Sequence, residues 1–358
     1  MDDTIGNQPQ VTASPAQAEE VAALIAETDR LVVQGASIET LFGQVRKLVV
    51  AAPNSIGTIV SPGQILFRAT KHHRAIPTRL DELWHPPPEK APMNRASRKG
   101  CSMFYGSSDD NGVLREIGAA VGQMAVLATW ATTETLMLHD LGYTDQVLKR
   151  SGARRQIPEK HRNFYANADD VSKTVRDYLA LAFTEPGDSK YALTVAIAEF
   201  HLQGFDEAAG LMYPAVAKNG NVDNVALRPS MAERALKLKE AKIIHIDTVE
   251  GETIGGVILA DLVEVGADRT LTWKFRSQNS TTIPSGVSYG AQPGERLRVQ
   301  ESGELTIGGK RYRLEPGFLL EVNDQAVIVR DLRGQIVEPT ADEAYTWTFS
   351  LKQETAQS

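Results

Sequence analysis

The sequence predicts an α+β chain that is helical near its N-terminus, mixed through its middle and β-rich towards its C-terminus. Three patterns carry that expectation. Apolar residues recur every three or four positions between residues 18 and 53, short apolar runs alternate with helical periodicity from 63 to 236, and strict alternation dominates beyond about Lys237. At 358 residues the chain exceeds one average domain. The boundaries expected are a disordered tail over 1–17, a helical hairpin over 18–62, a mixed domain over 63–236 and a β-rich domain over 237–358.

The first elements are "AQAEEVAALIAETDRLVVQ" and "IETLFGQVRKLVVAA", two amphipathic helices separated by Gly35. Such a pair must bury its apolar stripes on a neighbour. In the mixed domain "QILFRAT", "CSMFYG" and "QMAVLATWATT" are strand-like, whereas "NGVLREIGAAVG" has helical spacing. Between the first two strands, Pro86, Pro87, Pro88 and Pro92 impose a long extended loop. "KTVRDYLALAFT" and "YALTVAIAEFHLQG" are helical, with Gly204 placed to cap the second, and "AGLMYPAVA" is a buried-strand candidate.

In the β-rich end, Leu271, Trp273 and Phe275 alternate with polar residues in "TLTWKFRS". Tyr345, Trp347, Phe349 and Leu351 do so in "YTWTFSLK". "LTIGGKRYRL" is a hairpin with Gly308 and Gly309 in its turn. Two sheets packed face to face, in a sandwich-like arrangement, would bury these stripes and make Trp273 and Trp347 core residues.

Composition excludes several classes. With 42% hydrophobic and 23% charged residues the chain is typical of soluble globular proteins, and no run approaches the roughly 18 apolar residues of a spanning helix. The acidic, polar N-terminus is unlike a secretory signal. Its single cysteine, Cys101, cannot form an internal disulfide and suits a reducing, cytoplasmic setting. Beside an apolar strand it is expected to be an inert buried thiol. A net charge of -7 argues against direct nucleic-acid binding. The basic run "KRSGARRQIPEKHR", Lys149 to Arg162, reads as a solvated surface segment.

Familiar chemistry is also set aside. "GGKRY" lacks the glycine spacing and hydroxyl of a phosphate-binding P-loop, "GETIGG" is no dinucleotide fingerprint, and no G-x-S-x-G elbow is present. The seven histidines, including the adjacent His72 and His73, do not fall at metal-ligand spacing, so no metal is expected.

What remains is Arg68 in "LFRAT", Arg95 in "MNRASRKG", Tyr105 in "MFYG" and Glu116 in "LREI". Taken singly, the arginines read as surface ion-pair partners, Tyr105 as a half-buried strand aromatic and Glu116 as a solvated residue near a helix N-terminus. Taken in order, "LFRAT…PPPEKAPMNRASRKGCSMFYGSSDDNGVLREI" resembles the RES-domain family. That family carries an Arg on a first strand, a proline- or glycine-containing loop, a second Arg, a strand with Tyr and a helix with Glu. The likeness runs from about Gly63 to Ala226 and includes "GFDEAAGLMYPAV".

The resemblance implies a fold similar to ADP-ribosyltransferases and a toxin that destroys NAD. It further implies that Arg68 and Arg95 hold the diphosphate of NAD, that Tyr105 meets the nicotinamide riboside, and that Glu116 is the catalytic carboxylate. NAD would be a substrate rather than a resident cofactor. The chain departs from the family at its serine, since Ala215 stands in "YPAV" where many members carry it. The residue types suit the chemistry. Arginine offers a planar fork of donors to a diphosphate, and a carboxylate stabilises the oxocarbenium-like state formed as nicotinamide leaves. The nicotinamide ring departs neutral, so no second carboxyl is needed to protonate it. Water or phosphate as acceptor would make a glycohydrolase or a phosphorylase. The alternatives are an ADP-ribosyltransferase acting on a macromolecule and an inactive interaction module. By the same resemblance a neutralising antitoxin or immunity partner is expected, and a homo-oligomer remains open.

Overall fold

The computed structural model describes residues 14–52, 56–71, 76–203, 208–251 and 253–275. Beyond them it describes 296–299, 303–307, 310–314, 319–322, 327–331, 335–336 and 351–353. The fold is α+β. The chain divides into two compact units, the first made of Met1–Arg68, Trp84–Glu116 and Thr129–Leu238, the second of Ala69–Leu83, Ile117–Ala128 and Lys239–Ser358.

In the first unit, α1 (Pro15–Val33) and α2 (Ile38–Ala51) form the expected pair, each started by a serine side chain that accepts a backbone N–H, Ser14 from Gln17 and Ser37 from Thr40. Their apolar stripe, Val21, Leu41, Val45 and Leu48, is fully buried with residues of α6 (Asp170–Phe183) and α7 (Tyr191–Gln203). Arg98 reinforces this contact by reaching Glu39 on α2 and gripping both carboxylate oxygens of Glu199 on α7. Gly204, the proposed cap of α7, lies outside the described residues.

The strands of this unit are β1 (Gly57–Val60), β2 (Ile65–Lys71, of which the first four residues belong here), β3 (Phe104–Ser107), β5 (Leu136–Asp140), β6 (Gly210–Pro214) and β7 (Asp223–Leu227). The order is β1-β5-β6-β7-β3-β2, and each pairing is antiparallel except the parallel β5–β6. Between β3 and β5 lies β4 (Met124–Thr132), which also crosses the division between the units. At Gly210 an added Cβ would lie 2.1 Å from the Ala226 carbonyl oxygen, so only glycine allows the β6–β7 approach.

The helix after β3, α3 (Asp110–Glu116), is shorter than the periodicity suggests. The apolar spacing of "NGVLREIGAAVG" continues, but Gly118 adopts φ 60° and the chain turns. Glu116 is therefore the last residue of α3, and its expected position near a helix N-terminus is corrected to the C-terminal end.

One further expectation fails and another holds in part. Cys101 is exposed rather than buried, in the loop just after Gly100, whose φ is 82°. The basic run Lys149–Arg162 is mostly exposed, as expected, but within it Ile157 and His161 are buried and Arg155 pairs with Asp223 at 2.7 Å. This run leads into α5 (Glu159–Asn167), whose Lys160 and His161 meet the buried Asp140 of β5 at 2.5 and 2.9 Å. Their shared carboxylate partner lies twenty and twenty-one residues away, beyond any local pattern.

In the second unit, β8 (Leu236–Glu250), β9 (Thr253–Val265) and β10 (Leu271–Phe275) form an antiparallel series. Trp273 is half-buried and donates its indole N–H to the Pro77 carbonyl at 2.7 Å. Further along, β12 (Gly303–Ile307) pairs with β13 (Lys310–Leu314) with Ile307 opposite Lys310, as a hairpin requires. The Gly308–Gly309 turn and Trp347 lie outside the described residues, as do His72 and His73. A four-stranded sheet is made of β11 (Arg296–Val299), β14 (Leu319–Val322), β15 (Val327–Arg330) and β16 (Leu351–Gln353). No described helix is long and apolar enough to cross a membrane.

Candidate active site

Sheet register places the central residues. Tyr105 of β3 lies opposite Ala226 of β7, which lies opposite Leu211 of β6. Two residues along, Ser107 faces Asn224 and Asn224 faces Tyr213. Directly paired residues share a face and alternate residues return to it, so Tyr105, Asn224 and Tyr213 stand on one side of the sheet.

Glu116 reaches this side from α3. Asp109 starts that helix by accepting the Gly112 N–H at 2.6 Å. Glycine at 112 fits closely under this turn, since a Cβ there would lie 2.9 Å from the Ser107 hydroxyl, which would have to shift. At the far end of the helix, Glu116 Oε1 accepts from Asn224 Nδ2 at 2.8 Å and from the Ala217 N–H at 3.4 Å. The residue is otherwise exposed.

Arg95 arrives on a tight turn in which Asn94 and Ser97 exchange backbone hydrogen bonds of 2.9 and 3.3 Å. Its guanidinium donates to the carbonyls of Phe183 and Glu185 and lies 5.8 Å from the centre of the Tyr191 ring. The same turn buries Ser97, whose hydroxyl is 3.0 Å from the Tyr105 hydroxyl. Burial pushes the Tyr105 hydroxyl up to about 12, against the Ser97 and Ala96 hydrogen bonds, which lower it.

These groups meet electrostatically at Tyr213. Its hydroxyl is raised well above the usual value, first by burial, then by the charges of Glu116 and Tyr105, with Arg95 opposing and Tyr191 adding to the rise. By contact, Tyr105 reaches the turn bearing Arg95 through Ser97, and Glu116 is held by Asn224, which lies opposite Tyr213. The structure also adds Ser97, Tyr191, Tyr213 and Asn224, which the sequence did not single out. Only the nearness of Ser97 to Arg95 in "NRAS" could have hinted at any of them.

Arg68 is placed differently. Phe67 pairs with Ser107, so Arg68, one residue on, projects to the opposite face, where its guanidinium lies 5.3 Å from the Phe104 ring centre. There Nε donates to the Trp84 carbonyl at 3.1 Å and Nη1 to the Tyr105 carbonyl at 2.8 Å. Trp84 stacks on Trp130, with ring centres 4.1 Å apart. Burial lowers the guanidinium to about 10, offset in part by Tyr105, so it remains charged at neutral pH. No carboxylate pairs with it among the described residues. Arg68 therefore touches the backbone of Tyr105 rather than its ring.

Ala215, in the place of the family serine, is fully buried just before the 3-10 turn Val216–Lys218. Among the described residues no group of three or more His, Cys, Asp or Glu is placed to hold a metal ion.

The fold is of the α+β class. The RES domain family model matches residues 65–248, just over half of the chain, and the chain belongs to the RES-domain family. That membership ties it to NAD and to toxin-like function. No curated protein matches the chain.

Proposed function

We propose that the chain cleaves the bond between nicotinamide and ribose in NAD, with Glu116 as the catalytic carboxylate. The observation that carries this reading is that Tyr105 meets the Arg95 turn through Ser97 and shares its sheet face with Asn224, which holds Glu116, within a domain of the RES family. As the glycosidic bond lengthens, its electron pair passes to the pyridinium nitrogen and nicotinamide leaves neutral. Positive charge develops on the ribose, and the carboxylate of Glu116 stabilises it. Water then gives ADP-ribose with loss of a proton, and phosphate gives ADP-ribose phosphorylated at the same anomeric carbon, again with loss of a proton.

In this reading the aromatic face of Tyr105 receives the cationic ring before cleavage. Arg95 neutralises the diphosphate, while Arg68, on the opposite face of the sheet, holds the β3 backbone that carries Tyr105. Loss of NAD would make the chain a toxin or growth-arrest effector with a cytoplasmic site of action, held in check by a neutralising partner.

A second reading, transfer of ADP-ribose to a macromolecule, is favoured by the exposure of Glu116, which leaves room for a large acceptor. The alanine at 215 supports a third, an inactive interaction module. Purified chain incubated with NAD, with and without phosphate, separates them by release of free nicotinamide and by the product formed. Release without phosphate indicates hydrolysis, release that depends on phosphate indicates phosphorolysis, and adenine label appearing on protein indicates transfer. No nicotinamide release, and no protection of the fold by NAD against heat, would overturn the enzymatic reading.

A further inference from the structure

We propose that Asn224 is the positioning residue of Glu116, holding one carboxylate oxygen so that the other faces the reacting sugar. The inference rests on the assignment of Glu116 above, and its test is chosen to fail separately from it.

Asn224 is 4% exposed, in the middle of the row formed by Ser107, Asn224 and Tyr213. Its Nδ2 donates to Glu116 Oε1 at 2.8 Å, while its Oδ1 is buried with no hydrogen-bond partner among the described residues. A buried amide oxygen without a donor is costly. Flipping the amide would turn that oxygen towards the carboxylate and replace an attraction by a repulsion, so the orientation is dictated by Glu116. The amide forgoes its own second hydrogen bond and serves the carboxylate instead.

Glu116 needs such a support. It ends α3, where the helix dipole disfavours negative charge, and it stands largely in solvent, where a long side chain samples several rotamers. The donors from Asn224 on β7 and Ala217 on the turn after β6 both meet Oε1, leaving Oε2 with no partner among the described residues. Other ionisable groups nearby are Tyr213 on β6, Lys218 paired with Asp109 at 3.8 Å, and, around Tyr213, Tyr105, Tyr191 and Arg95. None of these is changed in the variants below.

The test compares the full chain with Asn224→Ala and Asn224→Asp. Asn224→Ala is expected to lower kcat for nicotinamide release about tenfold to a hundredfold with KM changed less than threefold. Asn224→Asp puts a second carboxyl beside the first and is expected to move the acid limb of the kcat profile up by about one pH unit or more. A residue that only fills the sheet would leave that limb in place.

A measurement free of both turnover and folding is the side-chain amide proton resonance of Asn224 in the unaltered chain. It should follow the titration of the Glu116 carboxylate and lose that dependence in Glu116→Gln, an exposed change that leaves the core intact. If the unaltered chain releases no nicotinamide but the resonance follows Glu116, the contact stands and the reaction falls. If nicotinamide is released and neither the resonance nor the pH profile responds, the positioning role of Asn224 is overturned.

Discussion

Arg176 donates to His161 Nδ1 at 2.6 Å, which makes Nε2 the protonated nitrogen of that ring, donating in turn to Asp140 at 2.9 Å. A guanidinium has no acceptor to offer, so the tautomer is settled by geometry. The imidazole is stacked on Tyr143, with ring centres 4.9 Å apart, and is wholly buried. Burial lowers its pKa, with the Asp140 hydrogen bond opposing and the Arg176 charge adding to the fall.

This arrangement predicts acid lability. His201, lowered to about 3 by burial and by His139, behaves in the same way. An unfolded histidine takes up a proton near pH 6.5, whereas the folded one stays neutral, so falling pH favours the unfolded state. Asp140 acts in the same sense below about pH 4: burial raises it, but hydrogen bonds from His161, Lys160 and Thr58 outweigh that and lower it. Denaturant unfolding at pH 7.5 and pH 5 should show a loss of about 2 kcal/mol from His201 alone, at about 1.4 kcal/mol per pH unit below 6.5. His201→Leu should flatten part of that slope.

Glu116→Gln should abolish most NAD cleavage, by about a hundredfold to a thousandfold in kcat, with little change in Tm because the side chain is exposed. Nicotinamide release and a thermal melt on the same preparation check both parts. An unchanged rate would remove Glu116 from the chemistry.

Tyr105→Phe keeps the ring but deletes the hydroxyl 3.0 Å from Ser97. The buried serine then loses a partner, at a cost of about 1 kcal/mol in unfolding free energy. NAD binding should survive, since the aromatic face is unaltered, and Tyr105→Ala should weaken it. Equal KM values for the two variants would show that the ring does not meet the substrate.

Arg68→Lys keeps the charge but cannot span the Trp84 and Tyr105 carbonyls as a planar fork does. Each charge-assisted hydrogen bond lost should cost about 1.5–3 kcal/mol of stability. KM for NAD should not rise, because Arg68 lies on the opposite face of the sheet. A raised KM would show that Arg68 does more than hold the β3 backbone.

Much of the scaffold was legible because it depends on short-range periodicity. The stripes of α1, α2 and α6 recur every three or four residues, and all three helices formed. The order Arg95, Tyr105, Glu116 was readable for a similar reason, since one turn, one strand and one helix follow each other within about twenty residues. Asn224 and Tyr213 were not readable. They join the site only through the β3–β7–β6 register, and "NVDNVAL" looks like any other strand until that pairing is known. Arg68 shows the same limit from the other side, for parity with Phe67 sent it across the sheet from the Tyr105 ring. Within the mostly exposed run 149–162, the pairings of Arg155 and His161 were not readable, because their partners Asp223 and Asp140 lie far off in the chain.

The grip of Arg98 on Glu39 and Glu199 has a practical consequence. The region matched by the family begins at residue 65, yet Leu41, Val45 and Leu48 close the same core as Leu193, Ala196 and Ile197. Trimming the gene to the homologous stretch would strip the roof from α7 and unmoor the turn bearing Arg95. Any expression boundary should therefore include Ser14, the cap of α1, because cooperative folding extends well upstream of residue 65, where the family likeness begins.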